Sequence, residues 1–145
     1  MGTQSTRNEA LAYQQLKNLR SQYSHTIDHG AATGDWDDFI SLYTEDAVVD
    51  YPQETMHGRE EIREFSEEIE EYYEYSMHTA QMPMLELDGD GATGTWYMLV
   101  FYIATDGSEG YVVGRYEDEY RRVDDEWRFS RIEAYIDRDS GGFHV

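Results

Sequence analysis

The chain has 145 residues, 31 acidic against 11 basic, for a net charge of -20, and no cysteine. That length suits one domain with one closed core. The charge excludes nucleic acid and anionic membranes as partners, the missing cysteines exclude disulfides, thiolate metal sites and cysteine nucleophiles, and 14% aromatic content is too much for a disordered acidic chain.

Lys17 is the only lysine, and the carboxylate-rich surface fits a halophile's protein, in which salt screens self-repulsion. On that reading most carboxylates are solvated, and one in apolar surroundings is informative. No apolar run is long enough for a signal peptide or a membrane helix, so a cytoplasmic protein is expected. Residues 1–9 read as a polar tail, 10–138 as the domain, and 139–145 as a Gly-rich tail that either frays or folds over a pocket mouth or partner.

Residues 8–30 carry Leu11, Leu16, Leu19, Tyr23 and Ile27 at near-helical spacing, predicting an amphipathic helix ended by Gly30 and Gly34. Asp35 is the expected N-cap of a short second helix, Trp36 to Tyr43, with Phe39, Ile40 and Tyr43 buried. Ala47 to Tyr51 reads as a strand stopped by Pro52. From His57-Gly58, Ile62, Phe65, Ile69 and Tyr72 or Tyr73 mark a third helix, acidic on its outer side.

Four strands follow: Met77 to Leu87, Ala92 to Thr105, Gly110 to Val123 and Trp127 to Asp137. The turns between them are Asp88-Gly-Asp-Gly91, Asp106-Gly107 and Asp124-Asp125. Helices followed by an antiparallel meander predict an α+β domain whose helices pack on one face of a curved sheet. Strict alternation from His78 places His78, Ala80, Met82 and Met84 on one face, which suits a pocket wall and an ordinary core equally.

The stretch Tyr23 to Trp36 sets a phenol, a carboxylate and two imidazoles near a helix end. Asp28 has two readings: a helix-end residue bonding backbone donors, or a buried acid holding another side chain. His78, in an otherwise apolar strand, is the candidate partner. An imidazole serves as a base near neutral pH, and an aspartate on its other nitrogen fixes the tautomer. The alternative is a core histidine satisfied by Asp28 or backbone. Tyr23 and Asp28 are five apart, about 140° around a helix, so they share a pocket only if it wraps the helix end. His25 and His29 lack a third ligand and the spacing of a zinc helix, so no metal is expected. Asp88 to Gly91 is a turn, too short for a calcium loop.

The Gly34-Asp-Trp36 helix, the strand ending Val49-Asp-Tyr51-Pro52, the His57-Gly58-Arg-Glu-Glu-Ile62 helix and the meander with Gly114-Arg-Tyr-Glu-Asp-Glu-Tyr120 and Glu126-Trp-Arg-Phe129 form a pattern. It resembles the SnoaL-like branch of the nuclear transport factor 2-like superfamily over residues 10–137. The resemblance implies a cone-shaped α+β barrel, with N-terminal helices packed on a strongly curved, mainly antiparallel sheet enclosing a pocket. The nearest patterns look like the scytalone dehydratases, bacterial bile-acid 7α-dehydratases and hexachlorocyclohexane dehydrochlorinases, where an aspartate and a histidine act as a dyad.

Asp28 and His78 match both dyad positions. Tyr23 matches a catalytic tyrosine of the bile-acid enzymes, and Tyr51 one of the tyrosines that polarise the carbonyl in scytalone dehydratases. Ile27, Tyr102, Gly114 and Tyr116 depart from the scytalone pattern, and a late arginine of the bile-acid enzymes falls at Arg131 or Arg138. The expected catalytic residues are therefore His78, Asp28 and Tyr23, and the expected substrate-binding residues Tyr51, Tyr102, Trp96, Met82, Met98 and Arg131. The expected function is a lyase or isomerase, dehydratase-like, using no cofactor and taking a small, mostly apolar hydroxy or keto compound as ligand. The alternative is a non-catalytic ligand-binding or assembly domain, like the small subunit of a ring-hydroxylating dioxygenase. A homodimer or homotrimer is expected because the outer face of such a sheet needs covering.

Overall fold

The structure, a computed structural model, describes residues 3–141, with side chains from residue 7. The expectation for the C-terminal tail falls mostly on 142–145, outside the described residues. Helix α1 (Thr3–Thr33) is followed by α2 (Asp37–Ile40), β1 (Tyr43–Asp50), β2 (Thr55–His57), α3 (Gly58–Ile69), β3 (Tyr73–Asp88), β4 (Gly91–Ala104), β5 (Glu109–Val123) and β6 (Glu126–Asp139). No described helix is long and apolar enough to cross a membrane.

Helix α1 runs through Gly30 instead of ending there. A Cβ at Gly30 would lie 2.4 Å from the Trp36 indole, so this glycine serves the packing of the chain as it doubles back. The helix stops at Gly34, whose φ of 79° suits a residue without a Cβ and whose N–H donates to the Gly30 carbonyl at 2.8 Å. Asp35 sits one residue before the N-cap of α2 and takes the Asp37 N–H on its side chain at 3.2 Å. That helix is a single turn, because Tyr43 already belongs to β1.

The sheet has six strands in the order β2-β1-β6-β5-β4-β3. The meander β3 to β6 is antiparallel throughout, while β1 lies parallel to β6, making the sheet mixed. It is curved and open, with β2 and β3 as its edges, and the N-terminal helices pack on it as expected. Pro52 ends β1 as its missing N–H requires, and Tyr51 and Glu54 close the turn into β2 with reciprocal backbone bonds at 3.0 and 3.2 Å.

The concave face carries the core. On β5, Val112, Gly114, Tyr116, Asp118 and Tyr120 are buried in strict alternation, and on β4 Trp96, Met98, Val100 and Tyr102 do the same. The α1 stripe Leu16, Leu19, Arg20, Tyr23 and Ile27 covers them. Strand β3 breaks the rule. Met82 has a φ of 55° at a bulge between Gln81 and Met84, and the extra residue exchanges the faces beyond it. Leu85 and Leu87 therefore turn toward the core, while Met82 and Met84 stand 74% and 72% exposed. The expectation that both methionines share the wall of His78 is corrected.

Candidate active site

The fold brings Asp28, near the end of α1, onto His78 in β3. The His78 Nδ1 lies 2.7 Å from Asp28 Oδ1, and the His78 backbone N–H donates to both carboxylate oxygens at 3.1 and 3.2 Å. Ser76 Oγ donates to Oδ1 at 3.0 Å. A carboxylate only accepts, so the shared ring proton sits on Nδ1, and in the neutral imidazole Nε2 is the acceptor. That Nε2 is buried and has no hydrogen-bond partner among the described residues. The His78 side chain is 1% exposed and Asp28 25%, so the imidazole faces inward while its orienting acid touches solvent.

A second cluster lies on the other side of α1. The hydroxyls of Tyr23 and Tyr51 are 2.5 Å apart. The Tyr23 ring packs edge-on against Phe39, Tyr116 and Phe129 at 5.2, 5.7 and 5.9 Å. Burial holds the phenols of Tyr23, Tyr51 and Tyr116 well above the ordinary tyrosine range, so all three stay protonated donors at neutral pH.

Tyr73 bridges the two clusters. Its ring meets His78 edge-on at 6.2 Å and Tyr102 at 5.5 Å. Burial raises its phenol, and Tyr102, Tyr116, Asp139 and Asp28, all within electrostatic reach, raise it further. Tyr116, which lies within electrostatic reach of Tyr73, packs against Tyr23 at 5.7 Å.

Tyr102 is buried at the rim, where Cβ atoms at Gly110 and Gly141 would fall 2.4 and 2.1 Å from its hydroxyl. Burial and then Asp139 raise its phenol. Met98 is buried on the concave face, and Trp96, also buried, donates its indole N–H to the Tyr120 hydroxyl at 2.9 Å. Arg131 is held outside the core by Glu133 at 2.9 Å, Asp50 at 3.7 Å and Glu119 at 3.8 Å. The structure therefore joins Asp28 to His78 and Tyr23 to Tyr51, and sets Met82 and Arg131 apart from both.

His25 and His29 lie on the exposed side of α1, with His29 4.0 Å from Asp35. No group of three or more metal-ligating side chains occurs among the described residues. Four surface clefts of about 400 to 610 Å³ are lined by other residues, such as the turn 88–91 with Tyr120, and by none of Asp28, His78, Tyr23 or Tyr51.

Sequence reasoning passed over Arg20 and Asp118. Arg20 is 1% exposed, and its Nε and Nη2 donate to the two Asp118 oxygens at 3.1 and 3.0 Å. Tyr120 donates to Asp118 Oδ2 at 2.6 Å. The signal was present: Arg20 falls on the apolar stripe between Leu16 and Tyr23, and Asp118 alternates between Tyr116 and Tyr120. Ser76 and Tyr73 were missed because the strand begins at Tyr73, earlier than its alternation suggested.

Helix α1 laid across a curved sheet is the arrangement of the nuclear transport factor 2-like superfamily, of which the SnoaL-like domain is a branch. A sequence match to the SnoaL-like domain spans residues 8–133, and the chain belongs to that family. A candidate scytalone dehydratase from Novosphingobium aromaticivorans is similar in structure, with a TM-score of 0.86 at 21% identity over 97% of this chain and 93% of that one. A candidate aromatic ring hydroxylase from the same species scores 0.80 at 25% identity over 90% and 91%. A type 2 hexachlorocyclohexane dehydrochlorinase, LinA, scores 0.82 at 18% identity over 97% and 96%. No curated protein sequence matches.

Proposed function

We propose that the protein is a cofactor-independent lyase or isomerase, dehydratase-like, acting on a small, mostly apolar hydroxy or keto compound. The observation that carries the reading is the His78 ring: Nδ1 is tied to Asp28 at 2.7 Å while the buried Nε2 has no hydrogen-bond partner among the described residues. A buried acceptor without a hydrogen bond costs about 1–3 kcal/mol, a cost that makes sense where the lone pair is to receive a substrate proton. The structural likeness to a candidate scytalone dehydratase and to a dehydrochlorinase supports the same class.

In the proposed reaction Nε2 takes a proton from the carbon next to a carbonyl, and Asp28 stabilises the imidazolium. The C–H electron pair forms the new double bond. In a dehydration the C–O bond breaks, and the departing hydroxide leaves as water with a proton from the Tyr23–Tyr51 pair, which His78 later restores. In an isomerisation the same phenols donate hydrogen bonds to the enolate and His78 returns the proton at another carbon. The reactive groups are closed off, so substrate access requires a local opening of the rim.

The test is solvent deuterium exchange, followed by NMR, into a panel of small ketones and β-hydroxy ketones. Exchange by the native protein that His78→Ala abolishes, with circular dichroism unchanged, is the expected result. Equal exchange by both proteins would exclude His78 as base.

A non-catalytic assembly domain is the second reading. The outer face of the sheet favours it, with Met77, Tyr97, Leu99 and Tyr111 all exposed. Co-purification with a larger iron-containing subunit, and no exchange activity, would select it. Under either reading we propose a homodimer or homotrimer built on that face.

A further inference from the structure

We infer that Arg20 is a positioning residue for the phenol pair: clamped by Asp118 beneath the floor of the site, its guanidinium sets Tyr23 in place and strengthens it as a proton donor. This rests on the reading of Tyr23 as the acid in the proposed reaction.

The geometry carries the inference. The Arg20 Cζ lies 3.5 Å from the centroid of the Tyr116 ring and 4.2 Å from that of Tyr23. Both contacts fall within cation–π range, so the guanidinium holds the two rings that bound the Tyr23 hydroxyl. Asp118 fixes this plane through two parallel bonds and is itself fixed by Tyr120, which Trp96 orients in turn. Nη1 makes no hydrogen bond among the described residues.

Stability does not explain the pair. Two charges taken out of water are at best about as favourable as apolar side chains of the same volume. A fixed positive charge against a phenol does explain it, because it favours the phenolate that forms when the proton is given up. The charged and titratable groups facing Tyr23 are Arg20 on its own helix, Tyr43 on β1, Tyr51 in the turn just after it and Tyr116 on β5. Burial opposes ionisation of Tyr23, the Tyr51 phenol opposes it too, and Arg20 works against both.

The experiment places a fluorinated tyrosine, whose phenol is more acidic, at position 23 and follows its ionisation by absorbance. The backgrounds compared are native and Arg20→Met/Asp118→Leu, an apolar pair of similar volume. The midpoint is expected to rise by about one pH unit or more, a tenfold loss of acidity, because the cation removed lies against the Tyr23 ring and the carboxylate removed with it lies farther off, behind the guanidinium. An unchanged midpoint in a double variant with native circular dichroism overturns the inference.

Should the double variant fail to fold, Asp118→Asn asks the same question with the opposite sign. Arg20 stays charged and loses its counter-charge, so the midpoint falls; a midpoint that stays or rises overturns the inference. In turnover, the double variant lowers kcat with little change in KM, and the fluorinated tyrosine restores kcat, which a purely structural loss would not allow. If the native protein turns over none of the panel, the functional reading fails, while the titration still decides whether Arg20 acts on Tyr23.

Discussion

Asp28 grips His78 twice, through the ring Nδ1–H at 2.7 Å and through the backbone N–H at 3.1 and 3.2 Å, across 50 residues of sequence. One carboxylate thus fixes the tautomer of the imidazole and the position of the strand that carries it. Ring orientation and backbone placement cannot drift independently.

Asp28→Asn should keep the fold and lose the function. The amide can hold the backbone N–H through its oxygen, but it no longer imposes a proton on Nδ1 or stabilises an imidazolium. Exchange into an active ketone should fall at least about a hundredfold, and Ser76→Ala, which removes one donor to Oδ1, should cost only about 1 kcal/mol in urea unfolding. Equal rates in Asp28→Asn and native protein would show that the acid is not an orienter.

The Tyr23 and Tyr51 hydroxyls satisfy each other inside the protein. Tyr23→Phe leaves the Tyr51 hydroxyl buried without this bond and should destabilise by about 1–3 kcal/mol, while Tyr51→Phe should cost less, because Tyr23 keeps its hydrogen bond with Tyr116. The double variant should lose less than the sum of the two. Additive losses in a double-mutant cycle by urea unfolding would mean the hydroxyls are not coupled.

Arg20→Met alone should make stability depend on pH. Burial already holds the Asp118 carboxyl above its ordinary 3.8, with Arg20 and the hydrogen bonds from Tyr120 and Arg20 opposing. Without Arg20 that opposition weakens and the carboxyl rises further. A carboxyl raised in the folded state binds protons more tightly there than in the unfolded chain. The Asp118 contribution to the variant's stability is therefore greatest below 3.8 and falls as pH rises through the raised folded value. At pH 7 the deficit should reach about 3–5 kcal/mol and shrink on acidification. A deficit in urea unfolding that is flat from pH 4 to pH 7 would contradict this.

On the outer face, Met77 pairs with Phe101 and Phe101 with Tyr111 across three strands, with Leu99 opposite Val113 beside them. Tyr97, one register step along, is 66% exposed. An apolar surface of this extent is normally covered. Light scattering should report a dimer or trimer, and Leu99→Glu a monomer. A native monomer at molar salt would remove the proposed interface.

Much of this architecture was legible because its signals are local. The α1 stripe, Pro52 at the end of β1 and the Asp-rich turns each act within a few residues. The parallel placement of β1 beside β6 was not legible, since strands so far apart in sequence pair through tertiary packing. Met82 shows how one residue defeats a periodic argument: a single left-handed backbone position reverses every assignment after it. In the site, His78 and Asp28 stood out as polar groups in apolar settings. Arg20 stood in such a setting too, but long basic side chains on a helix usually reach solvent, and only the partner on β5 reveals that this one turns inward.

The bulge at Met82 also bears on how the protein behaves in crowded solution. β3 is an outermost strand, and an unbroken ladder of unpaired amides would be a template on which another chain's strand could grow. The left-handed Met82 and the adjoining Pro83, which has no N–H to offer, interrupt that ladder midway. Replacing the two by residues that restore a regular extended strand would repair the alternation and, by the same act, open a continuous edge to fibril-like association.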